Sequence, residues 1–454
     1  MRAEAIRLAW QAKGVREIIN EVEITDAGGL KAYARDTWSA NELRTRLLFA
    51  KDINSVNYSV DVVNGTVYII GVFVSPEEHE RVLTVEPQTA DVIDRLPDQP
   101  GQILVGVRRW TTASPLVEVQ RLSLDTRRSR TLTRAPVQHA HIVADPSGEP
   151  RLAHGNLDSI NSLLYHRRAG DDGWTLINDE TESGRYEFPL GFDPAGEVVY
   201  LQASSDRGAD VVVEWNPQGG TRTVRIGDPD YDPGEVLRDG RGAVIGVAFL
   251  GPRRRAHFFD ESHPDAKLQA TLARSFPRDD VYLAPAEADA RWRLFEVRSE
   301  RDPGTVFLFD VESRRAHFLQ RRLPAIEPTE MSAAETRRFV TRDGLELEAF
   351  LTRRAGAEAP SLPLVLVPHG GPFGVFDRPD FDPLVQWLAH SGYAVLQVNF
   401  RGSGNRGRAL RSAGARGWGR AMQDDLADAA ACAEAESIAR PGEACLVGAS
   451  YGAY

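Results

Sequence analysis

Cys445-Leu446-Val447-Gly448-Ala449-Ser450-Tyr451-Gly452-Ala453-Tyr454 is the stretch on which the reading of this sequence turns. A short apolar run leads straight into Gly-x-Ser-x-Gly. That is the pattern of a strand that turns sharply into a helix and lifts a serine hydroxyl above the edge of a sheet. The two glycines answer a steric need, because so tight a turn leaves no room for side chains two residues before and after the serine. If the reading holds, buried parallel strands must lie upstream, with helices between them.

They are present. Leu364-Val365-Leu366-Val367 is a wholly apolar run, as a strand covered on both faces should be. Trp387 to His390 reads as part of a helix, and Tyr393 to Val398 as a second buried strand. Arg420 to Ala439 carries a long helical pattern, ended by Pro441-Gly442, and Cys445 to Val447 is the third strand. His369-Gly370-Gly371-Pro372 follows the first of these strands, where a glycine-rich turn can aim a backbone N–H at a developing oxyanion. The expected partner is the N–H of Tyr451, the residue after the serine. His369 reads as a brace of its turn and not as a base, since the base should follow the serine in this architecture. Asp424 and Asp425 are adjacent on a helix and do not face each other, so they read as structural acids near a helix N-terminus. Cys432 and Cys445 show no metal-ligand spacing and read as small buried hydrophobes.

Between 88 and 322 the character changes to short β runs, with no long helical pattern. Turn-forming segments recur at Asp125–Ser129, Ala169–Gly173, Asn216–Gly220, Asp260–His263 and Asp310–Arg314, about 45 residues apart. Val117–Leu122, Asp210–Trp215 and Val306–Phe309 are the clearest strands. Several short strands per repeat at that period indicate a β-propeller of about five blades, with a β-sandwich as the alternative. Trp174, Trp215, Trp292 and Phe309 are assigned to its core. Pro324, Pro328 and Ser332 punctuate a linker.

Taken in order, Thr341-Arg-Asp-Gly344, His369-Gly-Gly-Pro-Phe373, Asn399-Phe-Arg-Gly-Ser403, Gly417-Trp-Gly419, Asp424-Asp425 and Gly448-Ala-Ser-Tyr-Gly-Ala-Tyr454 resemble the prolyl oligopeptidase family of serine peptidases, in the style of its acylaminoacyl-peptidase and dipeptidyl-peptidase branches. The resemblance spans about 88–454. It implies a propeller that gates an α/β-hydrolase domain, and cleavage of short peptides through an acyl-enzyme without metal or cofactor. It makes Ser450 the nucleophile and assigns the oxyanion N–H groups to Gly371 and Tyr451. Three departures stand out. Ala449 and Ala453 replace usual glycines, about five blades are counted where seven are common, and only four residues follow Ser450. The triad acid and histidine should both follow the serine, and no histidine lies beyond His390. The hydrolase domain is therefore expected to be incomplete, and this 454-residue chain inactive.

Upstream, Val56, Tyr58, Val60 and Val62 alternate, Asn64-Gly65 supplies a hairpin turn, and Val67–Ile70 returns. Ser75 and Pro76 open another helix. Tyr33–Trp38, Leu43–Leu48 and Asn57–Tyr68 resemble the BON domain over about 32–83, and residues 2–24 look like the end of a preceding partial repeat, able to pair with 56–72. BON domains are associated with phospholipid or ligand binding at membranes, so the alternative function is a lipid-, ligand- or protein-binding module formed by this region and the propeller. The expected fold class is thus multidomain: a small α+β BON-like module over 1–87, a β-propeller over 88–325, and the first part of an α/β-hydrolase domain over 326–454.

Composition narrows the partners. The net charge is -11, with 65 acidic against 54 basic residues, and only four of the latter are Lys (Lys13, Lys31, Lys51, Lys267). That argues against binding nucleic acid through phosphate contacts. Two cysteines exclude a disulfide scaffold. No run approaches the ~18 apolar residues of a membrane span, and charges break up the N-terminus, so a cytoplasmic location is expected.

Overall fold

The computed structural model describes residues 58–63, 66–71, 88–109, 115–156, 161–171, 173–206, 208–354 and 361–453. The chain divides into two units, Met1–Thr89 with Arg109–Ala113, and Ala90–Arg108 with Ser114–Tyr454. In the first, Tyr58–Val63 and Thr66–Gly71 pair antiparallel with Val63 opposite Thr66, the register that a two-residue Asn64-Gly65 connection imposes. The reading of residues 2–24 as a partial repeat lies outside the described residues, as does any pairing of 15–24.

Five antiparallel sheets follow one another between Gln88 and Arg321. Four have four strands, and the sheet Pro233–Arg238, Val244–Leu250, Arg254–Phe258 has three. Neighbouring sheets share their cores. Leu104, Val117 and Val119 of the first pack with Ile142, Ala153 and Leu163 of the second. Leu152 and Leu164, on the other face of the second, pack with Val199, Leu201 and Trp215 of the third. Leu190, Tyr200 and Val212 of the third meet Val244, Val247 and Phe249 of the fourth. Each central strand therefore buries both faces, which is why these runs are apolar almost throughout.

The recurrent turns at 125, 170, 216 and 310 join third strands to fourth strands. The turn at Asp260–His263 does not. It leads into a helix, Pro264–Ser275, which corrects the expectation of no long helix in this region. Its signal was in the sequence: His263 Nδ1 accepts from the Asp265 N–H as N-cap, and Pro264 occupies the first turn. Leu268, Leu272 and Phe276 pack it on Phe295 and Phe309 of the fifth sheet. Trp292 is 45% exposed and is not the core residue expected of it.

From Ala334 a five-stranded mixed sheet forms, in the order Ala334–Val340, Glu346–Thr352, Ala394–Asn399, Leu362–Leu366, Ala439–Leu446. The last three strands are mutually parallel, and Glu346–Thr352 runs antiparallel to its inner neighbour. Alternate residues face opposite helices. Val365 and Val395 pack on Val385, Leu388 and Ala389 of helix Pro383–His390, which Asp382 caps. Leu364, Leu366, Leu396 and Val398 pack on Met422, Leu426, Ala429 and Ala433 of helix Ala421–Ala435. That helix ends at Ala435, earlier than expected. Pro441-Gly442 falls inside the last strand, where the register with Leu362–Leu364 slips. Cys432 is half-buried, but Cys445 is exposed, contrary to the reading of both as buried.

Buried polar contacts tie this domain to the sheets. The Tyr231 hydroxyl donates to Glu348 Oε1 at 2.6 Å. The Asp232 N–H donates to the Asn405 carbonyl at 2.9 Å, and Asp232 Oδ2 accepts from the Gly407 N–H at 3.1 Å. Arg378 donates to Asp280 and to the Tyr282 hydroxyl, at 2.5 and 3.1 Å.

Candidate active site

The parallel strand Ala439–Leu446 delivers its chain to the sheet end, where the Val447 N–H still donates to the Leu366 carbonyl at 2.9 Å. The backbone then breaks. Ser450 has φ +55°, a left-handed conformation that L-residues avoid, and a 3₁₀ turn, Ser450–Ala453, follows. Both motif glycines are forced. A Cβ on Gly448 would lie 2.2 Å from the Gly452 carbonyl oxygen, and one on Gly452 would lie 2.1 Å from that of Pro368. Backbone meets backbone at both places, so no side-chain movement relieves the clash.

The loop His369–Pro372 lies against this turn. A Cβ on Gly370 would be 3.5 Å from the Ser450 Cβ and 3.9 Å from its Oγ. Gly371 has φ +119°, open only to glycine, and precedes a cis Pro372. Behind the loop, His369 is buried and neutral. Its Nδ1 is 2.7 Å from the Gly370 carbonyl, which can only accept, so Nδ1 carries the proton and Nε2 accepts from the Ser403 hydroxyl at 2.7 Å. Burial lowers its pKa. The imidazole stacks on Phe400, with ring centroids 4.4 Å apart. Both ring nitrogens are engaged, so the side chain braces the loop and has no lone pair to offer Ser450.

Tyr451 turns inward. Its ring packs on Phe400 and Trp418, at 5.5 and 5.3 Å, and its hydroxyl reaches Met422 Sδ at 2.9 Å. This anchors the residue whose N–H follows the serine. Trp418 brings in Gly417-Trp-Gly419, so four separate motifs converge on one sheet end.

The remaining motifs meet beneath it. Arg401 donates from its N–H and its guanidinium to Asp425, at 2.7 to 3.0 Å, and from Nη1 and Nη2 to Asp343 at 2.8 and 2.9 Å. Asp425 is fully buried. Hydrogen bonds donated to Asp425 and then to Asp343 hold the guanidinium charged, and Arg401 in turn holds Asp343 well below the usual carboxylate range. Asp424 instead pairs with Arg342 at the surface, at 3.2 Å. Both acids are structural, as expected, but Asp425 is there to neutralise Arg401 and not to complement a helix terminus. Among the described residues no group of three or more His, Cys, Asp or Glu is placed to hold a metal ion.

Residues 379–454 match the prolyl oligopeptidase family. Residues 35–93 match the BON domain. Dipeptidyl aminopeptidase BIII of Pseudoxanthomonas mexicana is 28% identical over 393 residues, 82% of this chain and 54% of that protein. Dipeptidyl peptidase family member 6 of Caenorhabditis elegans is 28% identical over 335 residues, 64% of this chain and 43% of that protein. The chain thus spans about half the length of these relatives. In fold it is similar to a puromycin hydrolase (TM-score 0.60, 17% identity, 87% of this chain and 62% of that one) and to a Mycobacterium tuberculosis puromycin-hydrolyzing peptidase (TM-score 0.58, 19% identity, 78% and 57%). No helix among the described residues is long and apolar enough to cross a membrane.

Proposed function

We propose that Ser450 is the nucleophile of a serine peptidase that cleaves short peptides through an acyl-enzyme, with the five sheets as blades of a propeller over the site. The observation that carries this is the serine at φ +55° on a turn whose flanking glycines abut backbone, beside the His369–Pro372 loop. In the proposed step Ser450 Oγ bonds to the scissile carbonyl carbon as its proton leaves to a base. The oxygen that gains charge is met by the N–H groups of Gly371 and Tyr451, and collapse expels the amine. Two such donors in a water-poor cleft are worth roughly 10²–10³ in rate apiece. The match to the prolyl oligopeptidase family and the dipeptidyl peptidase relatives support the reaction class.

Within these 454 residues His369 is committed to Ser403 and no histidine lies beyond His390, so the chain by itself is expected to turn over negligibly. A fluorophosphonate probe tests both statements. Slow labelling that disappears in Ser450→Ala is the expected result. Complete absence of labelling at Ser450 overturns the nucleophile, and fast labelling with peptide turnover overturns the inactivity. The BON match favours a second role, in which the N-terminal region contacts lipid or a ligand. Co-sedimentation of the chain with phospholipid vesicles tests that role, and failure to sediment with any headgroup removes the lipid reading.

A further inference from the structure

The loops that form the site also face the sheets, and one cation there is unspent. Helix Gly407–Ala413 begins where Gly407 touches the sheets so closely that a Cβ on it would lie 2.0 Å from the Gly208 carbonyl oxygen. Its neighbours are paired: Arg406 with Glu346, and Arg408 with Glu180, which also accepts from the Ser162 N–H and hydroxyl. Arg411, one turn on, is exposed and forms no ion pair among the described residues. Its guanidinium lies over Gly374, with Cζ 3.7 Å and Nε 3.8 Å from where a Cβ would be. Gly374 belongs to the loop that begins at His369 and Gly370 beside Ser450, and its N–H donates to the Gly402 carbonyl at 3.0 Å. Burial raises the pKa of Tyr186, Asp210 and Asp232, and the nearby charge of Arg411 offsets only part of that rise. Those two carboxylates have other partners. Asp210 Oδ2 accepts from Gln202 at 2.9 Å, and Asp232 accepts from the N–H groups of Asp210 and Gly407.

We propose that Arg411 is a substrate-binding residue that receives a carboxylate of the bound peptide where helix Gly407–Ala413 lies beside the loop that begins at His369. The inference rests on the peptidase reading above. A guanidinium offers a planar fork of donors that matches a carboxylate, and an exposed one packed on a glycine loop keeps that fork open. A short peptide brings such a group either at its C-terminus or on an acidic side chain, and both would take the same two N–H donors.

Binding to the full chain carrying Ser450→Ala, which leaves the peptide intact, separates these cases. The probes are tetra-alanine as free acid, tetra-alanine amide, and the amide with one aspartate substituted in. The free acid, the aspartyl amide or both should bind about tenfold to a hundredfold more tightly than the plain amide. Arg411→Met should abolish the preference, and Arg411→Lys should restore part of it. A preference for the free acid places the C-terminus on Arg411, and a preference for the aspartyl amide places a side chain there. Equal binding of all three probes, a preference that survives Arg411→Met, or no binding at all overturns the proposal. The unmutated chain's fluorophosphonate labelling stands apart: labelling at Ser450 with no carboxylate preference sinks only the role of Arg411.

Discussion

At Gly452 the scale is one missing carbon atom. Adding a methyl group there drives it to 2.1 Å from the Pro368 carbonyl oxygen, and that carbonyl belongs to the loop that must stay beside Ser450. Gly452→Ala is therefore expected to lower stability by about 1–3 kcal/mol or more, whereas Gly219→Ala, whose nearest neighbour would be 3.8 Å away, should change little. Thermal melts of the two variants compare them. Asp425 is the other decisive residue. Replacing it with alanine leaves the Arg401 guanidinium, 91% buried, with only the half-exposed Asp343. The expected loss is about 3–5 kcal/mol, read from urea unfolding, and Asp425→Asn should recover only part of it because the charge remains unmatched.

The element that links these residues to the sheets is the segment after His369. Within it the Asp377 N–H and carbonyl are bonded to the Asn399 side chain, at 2.7 and 2.9 Å, while its Oδ2 has no partner. Burial, and then the charge of Asp382, push the Asp377 carboxyl up to about 7. An acid whose pKa is raised on folding binds its proton more tightly in the native state. Its contribution to stability is present below the unfolded pKa and is lost as pH rises through about 7. Asp377→Asn should then leave the melting temperature unchanged near pH 4 and raise it above pH 7. A melting difference that is constant with pH would refute this. His154 and His166, lowered to about 4 by burial, act in the opposite sense: they cost stability as pH falls from about 6.5 toward 4. The variant isolates Asp377 from them.

For the whole molecule, the antiparallel sheets and the mixed-sheet domain meet through polar groups that each need the other side. Glu348 is 2% exposed and takes its bond from Tyr231, 117 residues away in sequence. Tyr231→Phe removes the donor and leaves a buried carboxylate short of a partner, at a cost of about 1–3 kcal/mol. The sheets' own cores do not depend on that bond, so the loss should appear as faster proteolytic cleavage between the domains, around residues 322–333, more than as unfolding of either one. Equal cleavage rates in variant and parent would place the stability of the junction elsewhere.

Much of this was legible along the chain. The Gly-x-Ser-x-Gly turn, the apolar runs at 364 and 394, the 45-residue turn spacing and the order of the short motifs are local patterns, and local sterics and periodicity write them directly into residue types. The helix at 264–275 was written there too, in His263 and Pro264, but a strand-dominated context concealed it. What tertiary structure alone decided is which groups share a site. That Asp343, Arg401 and Asp425 form one ion cluster, that His369 is consumed by Ser403, and that Arg411 is left over while Arg406 and Arg408 are paired are facts about residues tens to hundreds of positions apart. Charge pairing and burial depend on distance in space, and no spacing along a sequence encodes that until the sheet has brought its strand ends together.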